Sequence, residues 1–288
     1  KSDLTKITRE DCEKYLFHLD KKKIILKSKK NYFGSINTFF DFAEDRFYAM
    51  GYKEYRNPMP KKKFWEFHKD KPLTEKQTRK KREKLLFTIP QILEILKKAR
   101  VADTHYFIQL LILTFTGMRR SEVVSIKKDN VDFERKIIIT GKIIGHQKSG
   151  RVVFPIHPSI ENLLFDYHAY INQKYGKENE FLFPIRNDTY KSIKEFNPGE
   201  PLNRFLKSLN TNFDSGGTHR FRRTIATFRK KNGVDRSDRE YLLNHAITST
   251  QDKHYALMDE KYRVELFMKS FPFQYAPIIN WVKKISLF

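Results

Sequence analysis

Residues 106–115, YFIQLLILTF, are apolar around nearly the whole circumference of a helix, broken only by Gln109 and Thr114. A helix that is apolar on all sides must be wrapped by other elements, and this run is too short to cross a membrane, which takes about 18–20 residues. It therefore predicts a buried core helix over 104–116. Gly117 comes next, a residue that takes the left-handed conformation with which many helices stop. The surrounding sequence must supply the cover.

Candidate covering elements are easy to find. Thr88 and Gln91 make a capping-box pair around Pro90 and open a helix with Ile89, Ile92, Leu93, Leu96 and Ala99 on one face. Ser121 with Glu122 begins a further helix, SEVVSIKK. Residues 159–175 place Ile160, Leu163, Leu164, Tyr167 and Ile171 on one side. Residues 184–201 read as a long loop before a helix over 202–209. A helix over 218–232 is closed by Gly233, and Ser237 with Glu240 forms a second capping-box signature for a helix through Leu243. A helix near 258–269 comes after it, then a short apolar element, IINWVKKISLF, beyond Pro277. Residues 136–140 and 151–156 are β-branched runs that read as strands of a small sheet. The fold class is mostly α with a small antiparallel β-sheet, an α+β arrangement.

The N-terminal region has its own helical signals. Thr8 and Asp11 begin a helix through Leu19 that carries Cys12, Tyr15, Leu16 and Leu19 on one face. A second helix spans about Ser28 to Met50. Its aromatic stripe of Tyr32, Phe33, Ile36, Phe39, Phe40 and Phe42 is read as core. Residues 67–84 are polar and basic. The organisation expected is a helical domain over 1–66, a basic linker over 67–84 and a second domain over 85–288.

Charge narrows the partner. Lys and Arg number 57 against 34 Asp and Glu, a net charge of +23. Like charges repel in a compact state, so an excess of this size points to a polyanion, and nucleic acid is the common one. An acidic membrane surface is the competing reading, but the charge is spread along the chain and no amphipathic anchor accompanies it. Lysine-rich runs at 21–30, 60–63 and 76–84 suit a surface that follows phosphates and carry no base-specific information. Cys12 is the sole cysteine, which excludes an intrachain disulfide and a Cys-rich zinc site and fits a reducing cytoplasm. No signal-peptide pattern is present, and a start at Lys1 leaves room for an N-terminal piece before it.

Chemistry concentrates in residues 218–255, which hold His219, Arg222, His245 and Tyr255 among basic side chains. A phenol, two imidazoles and a guanidinium can attack a phosphodiester, move its protons and hold its charge. Arg119, just past the core helix, sits where a rigid junction would turn it toward a ligand anion. The blander reading is a basic helical pair that only packages or regulates DNA.

TGMRRSEVVSI (116–126), QKSGRVVFPI (147–156), HRFR (219–222), LLNH (242–245) and Tyr255 resemble, in order, the motifs of the tyrosine recombinases. That family includes phage-type integrases, Xer recombinases and transposon integrases. The resemblance spans about residues 85–270 by motif; residues 1–66 resemble its helical core-binding domain by position, length and charge. It implies phosphate-binding arginines at Arg119 and Arg222, a base at His219 and a scissile-phosphate hydrogen bond from His245. It implies that Tyr255 is the nucleophile of a 3′-phosphotyrosine intermediate and that a hairpin lysine protonates the leaving 5′-oxygen. Lys148 matches that position, with Lys142 as the competing lysine. Tyr255 stands ten residues after His245 where nine is usual, and Tyr262 and Tyr241 are the alternative phenols.

The resemblance further implies a metal-independent, cofactor-free site-specific recombinase acting on double-stranded DNA as a homotetramer. A C-terminal segment from about 271, with Ile278, Ile279, Trp281 and Val282, is expected to dock on a neighbouring subunit. A mobile-element role (integration, excision or transposition) is favoured over Xer-type dimer resolution. A type IB topoisomerase is the other enzyme reading.

Overall fold

The computed structural model describes residues 3–22, 24–61, 66–67, 85–140, 152–176, 178–184, 199–214, 216–243, 260–274 and 276–287. The chain divides into two compact units, Lys1–Thr78 and Arg79–Phe288.

In the first unit, α1 (Arg9–Lys21) opens with the expected reciprocal cap between Thr8 and Asp11, and α2 (Leu26–Ala49) comes after a short turn. Cys12, Leu16, Leu19, Phe33, Phe40, Met59 and Phe67 form the core. Phe67, at the start of the expected linker, is buried and meets the Phe33 ring edge-on at 6.3 Å. Lys29 is buried with Asp20 as its partner at 2.8 Å. The aromatic stripe splits. Phe33 and Phe40 point inward, while Tyr32, Phe39 and Phe42 are 52%, 49% and 57% exposed. At 100° per residue, positions 32, 39 and 42 lie on the flank of the helix away from 33 and 40. The stripe is wider than the core beneath it.

The second unit is built around the apolar run. Here α4 (Thr104–Thr116) is buried at every position from Phe107 to Thr116. Asp103 caps its first turn through the Tyr106 N–H, and Gly117 ends it at φ +74°. The Thr114 hydroxyl donates to Leu110 O at 2.7 Å, so this polar break satisfies itself within the helix. Packed on α4 are α3 (Ile89–Ala102), with the Thr88–Gln91 cap formed, and α6 (Pro158–Tyr175), which buries the five apolar residues expected of it. The short α5 (Arg120–Val124) lies directly after α4; the helix expected from SEVVSIKK is a single turn that then gives way to strands.

Strands β1 (Val131–Asp132), β2 (Ile137–Thr140) and β3 (Val152–Pro155) form an antiparallel sheet in the order β1-β2-β3, with Ile138 opposite Phe154. The remaining helices are α7 (Gly199–Ser208), α8 (His219–Lys231), α9 (Arg236–Leu242), α10 (Glu260–Lys269) and α11 (Pro277–Val282). One expectation needs correction. The Ser237–Glu240 cap does not form, because Asp235 is the N-cap and Glu240 instead accepts a hydrogen bond from Arg236 at 2.7 Å. Within this chain the C-terminal residues Ile278, Ile279 and Val282 are buried in the core, and Trp281 meets Phe107 at 6.2 Å.

Candidate active site

The helix stop at Gly117 does more than end α4. It turns the chain so that Arg119 becomes the N-cap of α5, at the end of the most deeply buried helix in the unit. Glu122, one turn later, reaches back. Its Oε2 accepts the Arg119 backbone N–H and its Oε1 accepts from Arg119 Nη1 at 2.7 Å. Glu122 is 2% exposed at its side chain, whereas Arg119 is 36% exposed. The backbone and the guanidinium are therefore fixed by one buried carboxylate, while the outer edge of the guanidinium faces solvent.

Arg222 comes to the same carboxylate from α8. Its Nη1 lies 3.9 Å from Glu122 Oε2 and donates to Gly117 O at 2.8 Å, and its Nη2 donates to Leu243 O. Burial pushes the Arg222 pKa down to about 10, the Arg119 charge adds to that, and Glu122 opposes it. A pKa near 10 leaves the group charged at neutral pH. Two guanidinium groups thus stand around one buried carboxylate. A desolvated cation of this kind, fixed before a phosphate arrives, is what lowers the barrier when phosphoryl charge redistributes.

His219 begins α8 three residues before Arg222, so the two project from neighbouring positions on one helical flank, with His219 exposed. Arg220 between them serves the fold. It donates to Leu86 O at 2.7 Å and covers the Phe87 ring at 4.3 Å, holding the start of the unit against α8. Of the residues expected in the site, the structure brings together Arg119 and Arg222 and sets His219 one turn from Arg222. Lys148, its competitor Lys142, His245 and Tyr255 lie outside the described residues. Tyr262 is on α10 and Tyr241 on α9, their rings 6.4 Å apart.

Three residues have roles that the sequence does not announce. Glu122 is visible there only as a first-turn acid of α5, although its spacing of three from Arg119 is a pairing signal. Arg229 sits on the inward flank of α8, fully buried, over the Phe267 ring at 5.5 Å. Arg263 on α10 is 7% exposed and donates to Tyr241 O at 2.8 Å. Among the described residues, no group of three His, Cys, Asp or Glu is placed to hold a metal ion, and no helix is long and apolar enough to cross a membrane.

Comparison with known proteins agrees with this geometry. The family model for the phage integrase family matches residues 86–261. A comparison with curated proteins returns no match. Among solved structures, the Tn1549 transposon integrase in complex with transposon right-end DNA aligns with a TM-score of 0.54 at 17% identity, over 93% of this chain and 87% of the other. A lambda integrase dimer bound to a core site aligns at 0.52 and 15% identity, covering 85% and 81%. The XerH site-specific recombinase bound to its difH substrate aligns at 0.51 and 18% identity, covering 91% and 70%. At these identities the structural likeness speaks for the fold. The family match, spanning more than half of the length and including both arginines held on Glu122, goes further: the chain belongs to the phage integrase family of tyrosine recombinases and is an enzyme that cleaves and rejoins DNA strands.

Proposed function

We propose that this enzyme is the recombinase of a mobile element, acting on duplex DNA at a specific site through a 3′-phosphotyrosine intermediate. The observation that carries the chemistry is the shared carboxylate: Glu122 fixes Arg119 and stands beside Arg222. In this reading the two guanidinium groups take the nonbridging oxygens of the scissile phosphate. The Tyr255 oxygen attacks phosphorus as its proton passes to His219, and the bond from phosphorus to the 5′-oxygen breaks. Lys148 gives that oxygen its proton, leaving a free 5′-hydroxyl, and His245 donates a hydrogen bond to the phosphate. A phenol with a pKa near 10 needs such cationic surroundings to react at neutral pH. General acid help from a lysine is worth ~10²–10⁴-fold.

The first unit and the second together hold the duplex, drawing on the net charge of +23, and four copies assemble on two sites. Affinity resting on phosphate contacts falls steeply with salt, with a log–log slope of about −0.9 per phosphate neutralised. Richness in Lys and Phe, with 25 Phe, fits coding by an AT-rich element. Sequencing the DNA covalently trapped by the protein in cells tests the role. Recovery of element ends and varied target junctions supports it. Recovery of one chromosomal locus alone indicates dimer resolution instead.

A further inference from the structure

The Arg263 guanidinium meets the chain at points that adjoin, in sequence, the segments carrying His245, Tyr255 and Lys148. It projects from α10, whose first residue Glu260 lies five positions after Tyr255 in sequence. Its Nη2 donates to Tyr241 O at 2.8 Å and approaches Leu242 O at 3.5 Å, the carbonyls at the end of α9, just before His245. Its guanidinium carbon lies 4.5 Å from the Tyr241 ring centroid and 5.6 Å from that of Phe154, on the strand that comes after Lys148. Arg222 grips the next carbonyl, Leu243 O. Helix-end carbonyls are unsatisfied acceptors at the negative pole of the helix, so two buried guanidinium groups on three consecutive carbonyls fix the direction in which the chain leaves α9.

We infer that Arg263 is a positioning residue that ties α9, α10 and β3 together and so supports the chemistry proposed for His245 and Tyr255. This rests on the assignment of those two residues given above. Arg263 touches no substrate. Its removal loosens the end of α9 and the start of α10 and leaves the Arg119–Glu122 pair in place. DNA affinity is preserved while the rate of cleavage falls.

The test uses the full chain and a nicked duplex carrying the site recovered from trapped DNA. Arg263→Met and Arg263→Lys are compared with wild type for folding by thermal melting, for duplex Kd, and for single-turnover rate of covalent adduct formation. The expected result is a Kd within about twofold of wild type for both. Adduct formation should slow about 100-fold for Arg263→Met, as small misplacements of reacting groups do, and by less for Arg263→Lys, which keeps the charge and a donor group. In a His245→Ala background the Arg263→Met change should cost little further rate, because both act on one placement. A folded variant of either kind that forms adduct at the wild-type rate overturns the inference. So does parallel loss of binding and cleavage, or full additivity with His245→Ala. Tyr255→Phe run alongside separates the two levels. If it still forms adduct, the nucleophile assignment fails. If it forms none while the Arg263 variants cleave normally, the positioning role alone fails.

Discussion

Glu122 accepts a hydrogen bond from Arg119 Nη1 at 2.7 Å, with the acid buried and the arginine about one-third exposed. The same carboxylate is 3.9 Å from Arg222, itself 3% exposed. Glu122→Gln keeps the shape and removes the charge, leaving Arg222 buried without its counterion. Such a loss costs about 3 kcal/mol, the low end for a broken buried pair because Arg119 keeps its water. Urea unfolding measures it. Added duplex should stabilise this variant more than wild type, because a phosphate restores the missing negative charge. A loss below about 0.5 kcal/mol would mean the carboxylate is not what balances the arginines.

Gly117 couples the helix stop to the site. A Cβ there would lie 2.8 Å from Leu243 Cδ2 and 3.4 Å from Ile225 Cδ1, at a φ of +74°. The left-handed conformation costs an alanine about 1–2 kcal/mol. Gly233 has a similar φ of +78° and nothing within 4 Å of the added carbon. Both Gly117→Ala and Gly233→Ala should therefore lose stability in denaturant, Gly117→Ala the more. Only Gly117→Ala should also slow adduct formation, because it pushes on Leu243, whose carbonyl Arg222 holds.

The split aromatic stripe makes a clean contrast. Phe33→Ala and Phe40→Ala remove side chains that are 8% and 5% exposed, and each should cost the first unit about 3–5 kcal/mol. Phe39→Ser and Phe42→Ser remove exposed rings and should change stability by less than about 0.5 kcal/mol. Equal losses across the four would mean that the outer rings are buried in the folded protein.

His157 gives the second unit an acid sensitivity. Its ring stacks on Phe271 with centroids 4.0 Å apart, and its Nδ1 accepts the Ser159 N–H at the start of α6. Burial, with the nearby Lys283 charge, pushes its pKa down to about 4 from 6.5. A depressed folded value means the unfolded chain takes the proton first. The contribution is whole above pH 6.5 and is lost as pH falls toward 4. Denaturation midpoints should drop over that window, and His157→Gln should flatten the drop. An unchanged slope would contradict the assignment.

Local signals are legible in the sequence and long-range ones are not. The Thr8–Asp11 and Thr88–Gln91 caps and the Gly117 stop each depend on residues within a turn, and the sequence shows those residues side by side. The Ser237–Glu240 pair has the same pattern and fails, since Asp235 starts the helix two residues earlier. Strand β1 is two residues long, too short to show alternation. No motif in the sequence singles out Arg229 or Arg263. They are buried by partners distant in sequence, Arg229 over the Phe267 ring and Arg263 beside Tyr241 and Phe154, a relation that no spacing along one helix encodes. Motifs mark Arg119 and Arg222, but the carboxylate that brings them together belongs to the fold.

All of the proposed chemistry turns on Tyr255 forming the covalent bond to DNA. The most direct measurement is denaturing electrophoresis after incubating wild type and Tyr255→Phe with nicked duplex. Wild type should give a denaturation-resistant protein–DNA adduct and Tyr255→Phe none, with both proteins binding the duplex equally. An adduct that persists in Tyr255→Phe would contradict the assignment.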